Sequence, residues 1–409
     1  MRIAIVHPWF LALGGAEQTV GAIAEMFPEA DIFTIFYDRR VLPEQLAGRR
    51  IFASGWNWIP GKYHFYRYLL PLYPYAFEKI DLRGYDLVIS SDSCLSKGIL
   101  ADDEATHVCY CHSPMRCLYD QYQESLEELP WLGRAIFSFV AQHLRMWDYI
   151  AAHRVNGFVA NSRYISQRIR AFYGLDSEVV YPPVQIRSDF LEVPPEDFYL
   201  CVGRLVGSKR VDIAIEACNR LGRRLVVVGK GRELKNLKKL AGPTIEFTEW
   251  ASRERLGDLY SRCRALLFAS KEDFGIVPVE CQSYGRPVIA YGRGGALESV
   301  IPGVTGVHFA EQTPASLIKA ILELECHIGQ FDPARIRAHA ESFGLPEFKR
   351  HLRYFVDTCC EAKKRGVAWM EMRKERFAVA SNREYEPVDG WDAHQPSVSR
   401  AEWMSTRSF

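Results

Sequence analysis

Two carboxylates in the stretch Lys271-Glu-Asp-Phe-Gly-Ile-Val-Pro-Val-Glu280 are spaced for joint work on one ligand. A glycine turn and a proline separate Glu272 from Glu280. The apolar strand Ala265-Leu-Leu-Phe-Ala269 lies before them and Pro287-Val-Ile-Ala290 after. Proline suits the first helical position because it needs no donor there. A short helix is therefore expected from Pro278, with Glu280 in its first turn, where unpaired amides and the dipole favour an anion. Glu272 stays in the loop at the carboxyl end of the strand, the edge at which open α/β sheets bind ligands. Two acidic side chains on one cleft, with backbone donors between them, suit a ligand rich in hydroxyls. A helix cap plus a solvated carboxylate is the structural alternative.

A cationic pair stands upstream, in Gly203-Arg-Leu-Val-Gly-Ser-Lys-Arg-Val-Asp212. Arg204 offers a planar fork and Lys209 a movable point charge, a complementary pair for a diphosphate. A solvated basic loop is the alternative. Val226-Val-Val-Gly-Lys-Gly-Arg232 enters a glycine turn, making Gly229 and Lys230 candidate ligand positions, though a structural turn explains them equally well. Gly294 and Gly295 open a further helix, for an anion or for tight strand-to-helix packing, and Glu298 is expected to cap that helix. In the first half of the chain, Gly14-Gly15 follows an apolar strand, and His112, in Tyr110-Cys-His-Ser-Pro-Met-Arg116, stands at the end of another. The glycine spacing is not Gly-x-Gly-x-x-Gly, which counts against a dehydrogenase.

These residues must be carried on strands joined by helices. Arg2 to Val6, Ala30 to Phe36, Tyr85 to Ser90, His107 to Cys111 and Gly157 to Ala160 read as buried strands, with helices clearest over Ile136 to Ala152 and Ser162 to Phe172. Tyr181-Pro-Pro-Val184 and Pro194-Pro195 break the pattern. It restarts with strands at Tyr199 to Val202, Arg224 to Val228, Ile245 to Phe247, Ala265 to Phe268 and Val288 to Ala290. The expected fold class is α/β, two Rossmann-like doubly wound domains facing a central cleft. The expected boundaries are residues 1–182, residues 183–345, a helix over 346–366, and a polar, disordered or loosely wrapped tail over 367–409.

Composition narrows the function classes. The chain has 409 residues, 48% hydrophobic and 25% charged with a formal net charge of +1, so two soluble domains are expected and nothing global points to nucleic acid. The eleven cysteines lack zinc spacing, and they read as free thiols of a reducing cytosol. A strand starting at Arg2 leaves no room for a signal peptide, and no run of 18 apolar residues is present. Aromatics at Trp56 to Pro60 and Tyr63 to Phe77, interleaved with Lys62, His64, Arg67 and Lys79, suit either helix-to-sheet packing or a face that meets lipid phosphates.

The paired glutamates, Gly203-Arg-Leu with Lys209, Gly14-Gly15-Ala16-Glu17 and His112-Ser-Pro-Met-Arg116 together resemble the family-4 retaining glycosyltransferases of GT-B fold, in their bacterial O-antigen and polysaccharide mannosyltransferase-like branch. The resemblance runs to about Phe343. It implies that Arg204 and Lys209 stabilise a leaving nucleoside diphosphate and that Glu272 and His112 face the transferred sugar. Glu280 would bind the ribose, while Gly15, the main chain of Phe274, Gly275, Ile276 and Val277, and the turn at Gly229 and Lys230 would hold the donor. Arg116 and Asp120 fall on the acceptor side. The implied substrates are a nucleotide sugar, GDP-mannose by the flavour of the branch, and a lipid-linked or saccharide acceptor. No metal or other cofactor is expected. The implied location is cytoplasmic, with peripheral contact at the inner membrane face. A nonhydrolysing sugar-nucleotide epimerase of the same fold and a catalytically silent sugar-nucleotide-binding protein stay open as alternatives.

Overall fold

A strand buried on both faces needs helices above and below it, which parallel crossovers supply. The computed structural model describes residues 1–186, 193–249 and 251–381, and it contains two such sheets. In the first, β1 (Ile3–Phe10), β2 (Asp31–Tyr37), β3 (Ile51–Ala53), β4 (Leu87–Asp92), β5 (Thr106–Cys111), β6 (Gly157–Ala160) and β7 (Ser177–Val179) lie in the order β3-β2-β1-β4-β5-β6-β7. In the second, β8 (Tyr199–Val202), β9 (Leu225–Val228), β10 (Ile245–Thr248), β11 (Ala265–Phe268), β12 (Val288–Tyr291) and β13 (Gly306–Phe309) lie in the order β10-β9-β8-β11-β12-β13. Every pairing is parallel, with Ile3 opposite Leu87 and Leu200 opposite Leu266 at the two central pairs. The α/β reading of two doubly wound sheets is correct.

In each sheet the strand order reverses at one pair, β1 with β4 and β8 with β11. A crevice opens at the carboxyl ends of such a pair. The chain leaves the first sheet through Tyr181-Pro-Pro-Val184 and passes the same place on its return. There the Val184 amide donates to the Phe343 carbonyl at 2.9 Å. The helix Leu345–Arg365 then buries Phe348, Leu352, Phe355, Val356 and Cys359 against Ile5, Ile23, Ile32 and Val108 of the first sheet and its helices.

Two local expectations need correcting. The helix Ile276–Gln282 begins two residues before Pro278, because Gly275, at φ 89°, makes the turn that caps it. Proline is tolerated anywhere in a first turn, and Glu280 therefore falls beyond that turn. The polar tail is helical over Trp369–Ser381 rather than loose. Trp369 meets the Phe355 ring edge-on at 5.1 Å, Met372 is buried, and Arg365 and Arg373 pair with Glu375 and Glu178. The rest of the expected tail, 382–409, lies outside the described residues.

Burial in the first sheet also sets a response to acid. His107, on β5, has its Nε2 2.8 Å from the Ser90 hydroxyl, and burial lowers its pKa from 6.5 to about 3. The unfolded chain takes up a proton below pH 6.5 that the native chain refuses until about pH 3. Stability through this group is therefore lost as the pH falls across that window. His107→Gln keeps a donor for Ser90 and removes the titration. Its stability should fall less steeply than wild type, by about 1.4 kcal/mol per pH unit, in urea unfolding between pH 6.5 and 4. Parallel slopes would contradict the assignment.

Candidate active site

The loops that leave the carboxyl ends of β1, β4, β5, β6, β8 and β11 enclose one cavity of about 880 Å³ between the two sheets. From the second sheet come Arg204, Lys209, Glu272, Phe274, Gly275, Ile276 and Val277, and from the first come Gly15, Glu17, His112 and Asn161. Trp9, Tyr63, Tyr66, Leu70, Tyr73 and Met115 build an aromatic wall on the first-sheet side. The aromatic segment therefore divides. Tyr66 and Tyr73 face the cavity, while Trp58 and Tyr68 are about four-fifths exposed (78% and 81%). Lys62 does not reach outward, because its ammonium donates to the Tyr37 carbonyl at 2.6 Å and to Asn57 Oδ1 at 2.8 Å. The Arg67 side chain lies outside the described residues.

The charged groups are arranged differently from two facing pairs. Lys209 and Glu272 contact each other directly, so in this state the lysine already has an acidic partner. Arg204 is exposed on the cavity wall, and among the described residues no side chain pairs with it. Glu280 is not on the wall. Its Oε2 accepts from the Tyr260 hydroxyl at 2.9 Å, and burial outweighs that bond to raise its pKa. It lies three and four residues beyond Val277 and Ile276, hence on the helix face they share, one turn deeper. Tyr260 is a partner that sequence reasoning missed.

Main-chain geometry fixes the Glu272 turn. The Gly295 amide donates to the Glu272 carbonyl at 3.0 Å, and a Cβ at Gly295 would stand 2.3 Å from Phe274 Cα. The Gly294–Gly295 pair thus serves close packing rather than an anion. Gly15 approaches across the cleft, where an added Cβ would meet Ile276 Cδ1 at 2.6 Å. Gly229 and Lys230 are away from the cavity wall. Their turn packs on the β8 loop instead, where the Leu205 amide donates to the Lys230 carbonyl at 2.8 Å.

Arg116 and Asp120 also lie off the wall, in a polar clasp between the two halves. Arg116 bonds Asp273 at 2.5 Å, and Arg168 bonds Asp120 at 2.6 Å and Asp273 at 3.4 Å. The Ser162 hydroxyl donates to the Asp273 carbonyl at 2.6 Å. Glu298 caps a helix of the other half rather than its own, accepting the Arg163 and Tyr164 amides at 2.7 and 2.9 Å. The signal for Arg168 was an arginine inside the apolar stripe of Ile165, Ile169 and Phe172. Asp273, next to Glu272, ties the cavity loop to the first domain. Burial raises its pKa despite both arginines.

His112 is nearly buried. Burial first, then the neighbouring His7, lowers its pKa from 6.5 to about 3, so the ring is neutral. Among the described residues no three His, Cys, Asp or Glu side chains are grouped to hold a metal, and no helix is long and apolar enough to cross a membrane.

Comparison with known proteins bears on the family and on the two-sheet architecture. The family described as Glycosyltransferase Family 4 matches residues 13–187, and Glycosyl transferases group 1 matches residues 185–327. The chain is 27% identical to the alpha-1,3/1,6-mannosyltransferase ALG2 of Homo sapiens over 417 aligned residues, 87% of this chain and 95% of that protein. Among solved structures, sucrose-phosphate synthase of Thermosynechococcus elongatus superposes with a TM-score of 0.68 at 18% identity, covering 88% of this chain and all of that one. Anabaena Alr3699/HepE in complex with UDP superposes with a TM-score of 0.64 at 17% identity, again over 88% of this chain and all of that one.

Proposed function

Because models of Glycosyltransferase Family 4 and Glycosyl transferases group 1 together match residues 13–327, we propose that the chain is a GT-B glycosyltransferase that transfers a hexose, with retention, from a nucleotide sugar to a lipid-linked saccharide in the synthesis of a cell-surface polysaccharide. The observation that carries this reading is a single cavity with Arg204, Lys209 and Glu272 on one side and an aromatic wall on the other. The donor diphosphate enters beside Arg204 and draws Lys209 away from Glu272, which frees the carboxylate for the hexose hydroxyls. The amides of Gly275 to Val277 hold donor oxygens, and His112 faces the sugar from the opposite side. Glu280 takes the ribose through Oε1, which no described residue bonds.

As the glycosidic bond loosens, negative charge grows on the leaving phosphate. Arg204 and Lys209 stabilise it most in the transition state, where the stabilisation accelerates the reaction. The leaving phosphate accepts the acceptor's hydroxyl proton on the same face, giving retention. The aromatic wall holds the acceptor saccharide, and the exposed Trp58 and Tyr68 meet the cytoplasmic face of a membrane. Mannose from GDP-mannose is the donor favoured, supported by the 27% identity to a mannosyltransferase.

The test is a panel of nucleotide sugars scored for slow donor hydrolysis, then for transfer to lipid-linked saccharides, with the product anomer read by NMR and a chelator in a parallel arm. GDP-mannose is expected to turn over, with the α-configuration kept and the rate unchanged by chelator. Epimerised nucleotide sugar without acceptor would point to the epimerase. Binding without turnover would point to a silent protein.

A further inference from the structure

Ser113 comes directly after His112 and Asp273 directly after Glu272, and the two share one partner. That partner is the guanidinium of Arg168, on the helix Arg163–Tyr173 that follows β6. Its Nη1 donates to the Ser113 hydroxyl at 2.8 Å and to Asp273 Oδ1 at 3.4 Å. Its Nη2 donates to Asp120 Oδ1 at 2.6 Å and to the Pro114 carbonyl at 3.3 Å. One side chain of the first domain thus grips the loop behind His112 and reaches across to the loop behind Glu272. The same helix takes Asp273 a second time, since the Ser162 hydroxyl at its N-cap donates to the Asp273 carbonyl.

Arg168 is 6% exposed and stands behind the cavity wall rather than on it. Tyr164 and Phe172, one helical turn to either side, hold their ring centres 5.8 and 5.5 Å from its guanidinium carbon. Those rings and four acceptors leave the guanidinium little room to turn. Asp273 offers an acceptor oxygen whether or not it carries a proton, so the bridge stands in either state. A lysine at this position would end where the guanidinium carbon lies, one bond short of both nitrogens and of the acceptors they reach.

We propose that Arg168 is a positioning residue that sets the span between His112 and Glu272, so that the two close on one hexose from opposite sides. This rests on the sugar-facing places of both groups in the activity proposed above. The nucleotide is not involved, because in that reading its ligands, Glu280 and the amides of Gly275 to Val277, all belong to the second domain. Loss of the bridge should therefore slow the bound complex and spare nucleotide affinity, since a misplacement of about 1 Å can cost about 10²-fold in rate.

The test uses full-length protein, with hydrogen exchange read by mass spectrometry over residues 113–120 and 271–277. Arg168→Lys keeps the charge and loses the reach, and both segments should exchange about tenfold faster. Its kcat, with a donor that wild type consumes, should fall about 10–10²-fold. Calorimetric affinity for that donor's nucleoside diphosphate should stay within about twofold, a split that a folding role alone would not give. Asp273→Ala removes the bridge from its other end, carries the same expectations and decides the matter if Arg168→Lys does not fold. The double variant should be no slower than the slower single one, because both break one link. Glu128→Gln, which breaks the exposed Arg232–Glu128 pair between the same two halves, should leave kcat unchanged. Unaltered exchange and rate in both single variants, additive losses, or nucleotide affinity lost in step with kcat overturns the proposal. Absence of turnover with every nucleotide sugar overturns the activity reading instead, and the exchange pattern still decides the bridge.

Discussion

Arg204→Ala is expected to lower turnover by about 10²–10³-fold while leaving the urea midpoint essentially unchanged. The guanidinium stands exposed on the wall of the cavity and supports no described neighbour, so its loss removes no packing and strands no buried partner. Its work lies in the charge that develops on the leaving phosphate, and the loss should therefore appear in kcat more than in KM. Lys209 sits nearby but begins paired with Glu272, so it cannot substitute without first breaking that contact. Arg204→Lys should recover part of the rate, because a point charge replaces the fork without its two-pronged geometry. The measurement is steady-state kinetics with a donor that wild type consumes. A variant that retains turnover within about tenfold would place the leaving-group stabilisation elsewhere, against the electrostatic argument.

The largest stability effect should come from a lysine far from any phosphate. Lys97, wholly buried, bonds Asp92 at 3.0 Å and contacts Asp148 directly, and Tyr119 and Tyr173 donate to Asp148 at 2.9 and 2.8 Å. Asp92 also accepts the Ser96 amide at 2.7 Å. Burial alone would lower the Lys97 pKa, but Asp148 and Asp92 reverse this and hold it well above its ordinary value. The cluster pins the loop after β4, in which buried Leu95 is held at φ 65° and Ser93 and Cys94 reach the cavity. Lys97→Met keeps the stem and leaves two carboxylates buried together, at a cost of about 3–5 kcal/mol in urea unfolding. Those carboxylates would hold protons more tightly in the native variant than in its unfolded chain, so the deficit should shrink as the pH is lowered from 8 to 5. A deficit under about 1 kcal/mol at pH 8 would show that the cluster relaxes, contrary to the cost of an uncompensated buried charge.

What the sequence disclosed depended on how local each signal was. Runs such as Leu225–Val228 and Ala265–Phe268 are apolar throughout because they are buried on both faces, and their period alone marks them. The edge strands Ile51–Ala53 and Ser177–Val179 are three residues long and only partly buried, so no pattern survives in them. Among the described residues, the apolar anchors of the helix from Trp369 are Trp369 and Met372, too few to set a period, and ion pairs through Glu375 and Arg373 add to them. Arg204, Lys209, Glu272 and His112 stand at strand ends, which topology gathers into one place. Arg116 and Asp120 look like free cleft groups from their spacing. Their partners Asp273 and Arg168 are 157 and 48 residues away, and no local pattern encodes such distances. The contacts that join Glu17, His7, Ser91 and His112 were hidden for the same reason, since these residues come from four separate segments.

The helix Leu345–Arg365 has a consequence for how the polypeptide is made. Phe355 and Cys359 lie so close to Gly157 that a Cβ there would approach them to 3.0 and 2.5 Å, so this face of the first sheet is completed only by residues that follow the second sheet. During vectorial synthesis the N-terminal half emerges first, yet it must wait, with apolar surface uncovered, until the second half has passed out of the ribosome. A messenger truncated before codon 345 would yield an unfinished first domain rather than a separable one.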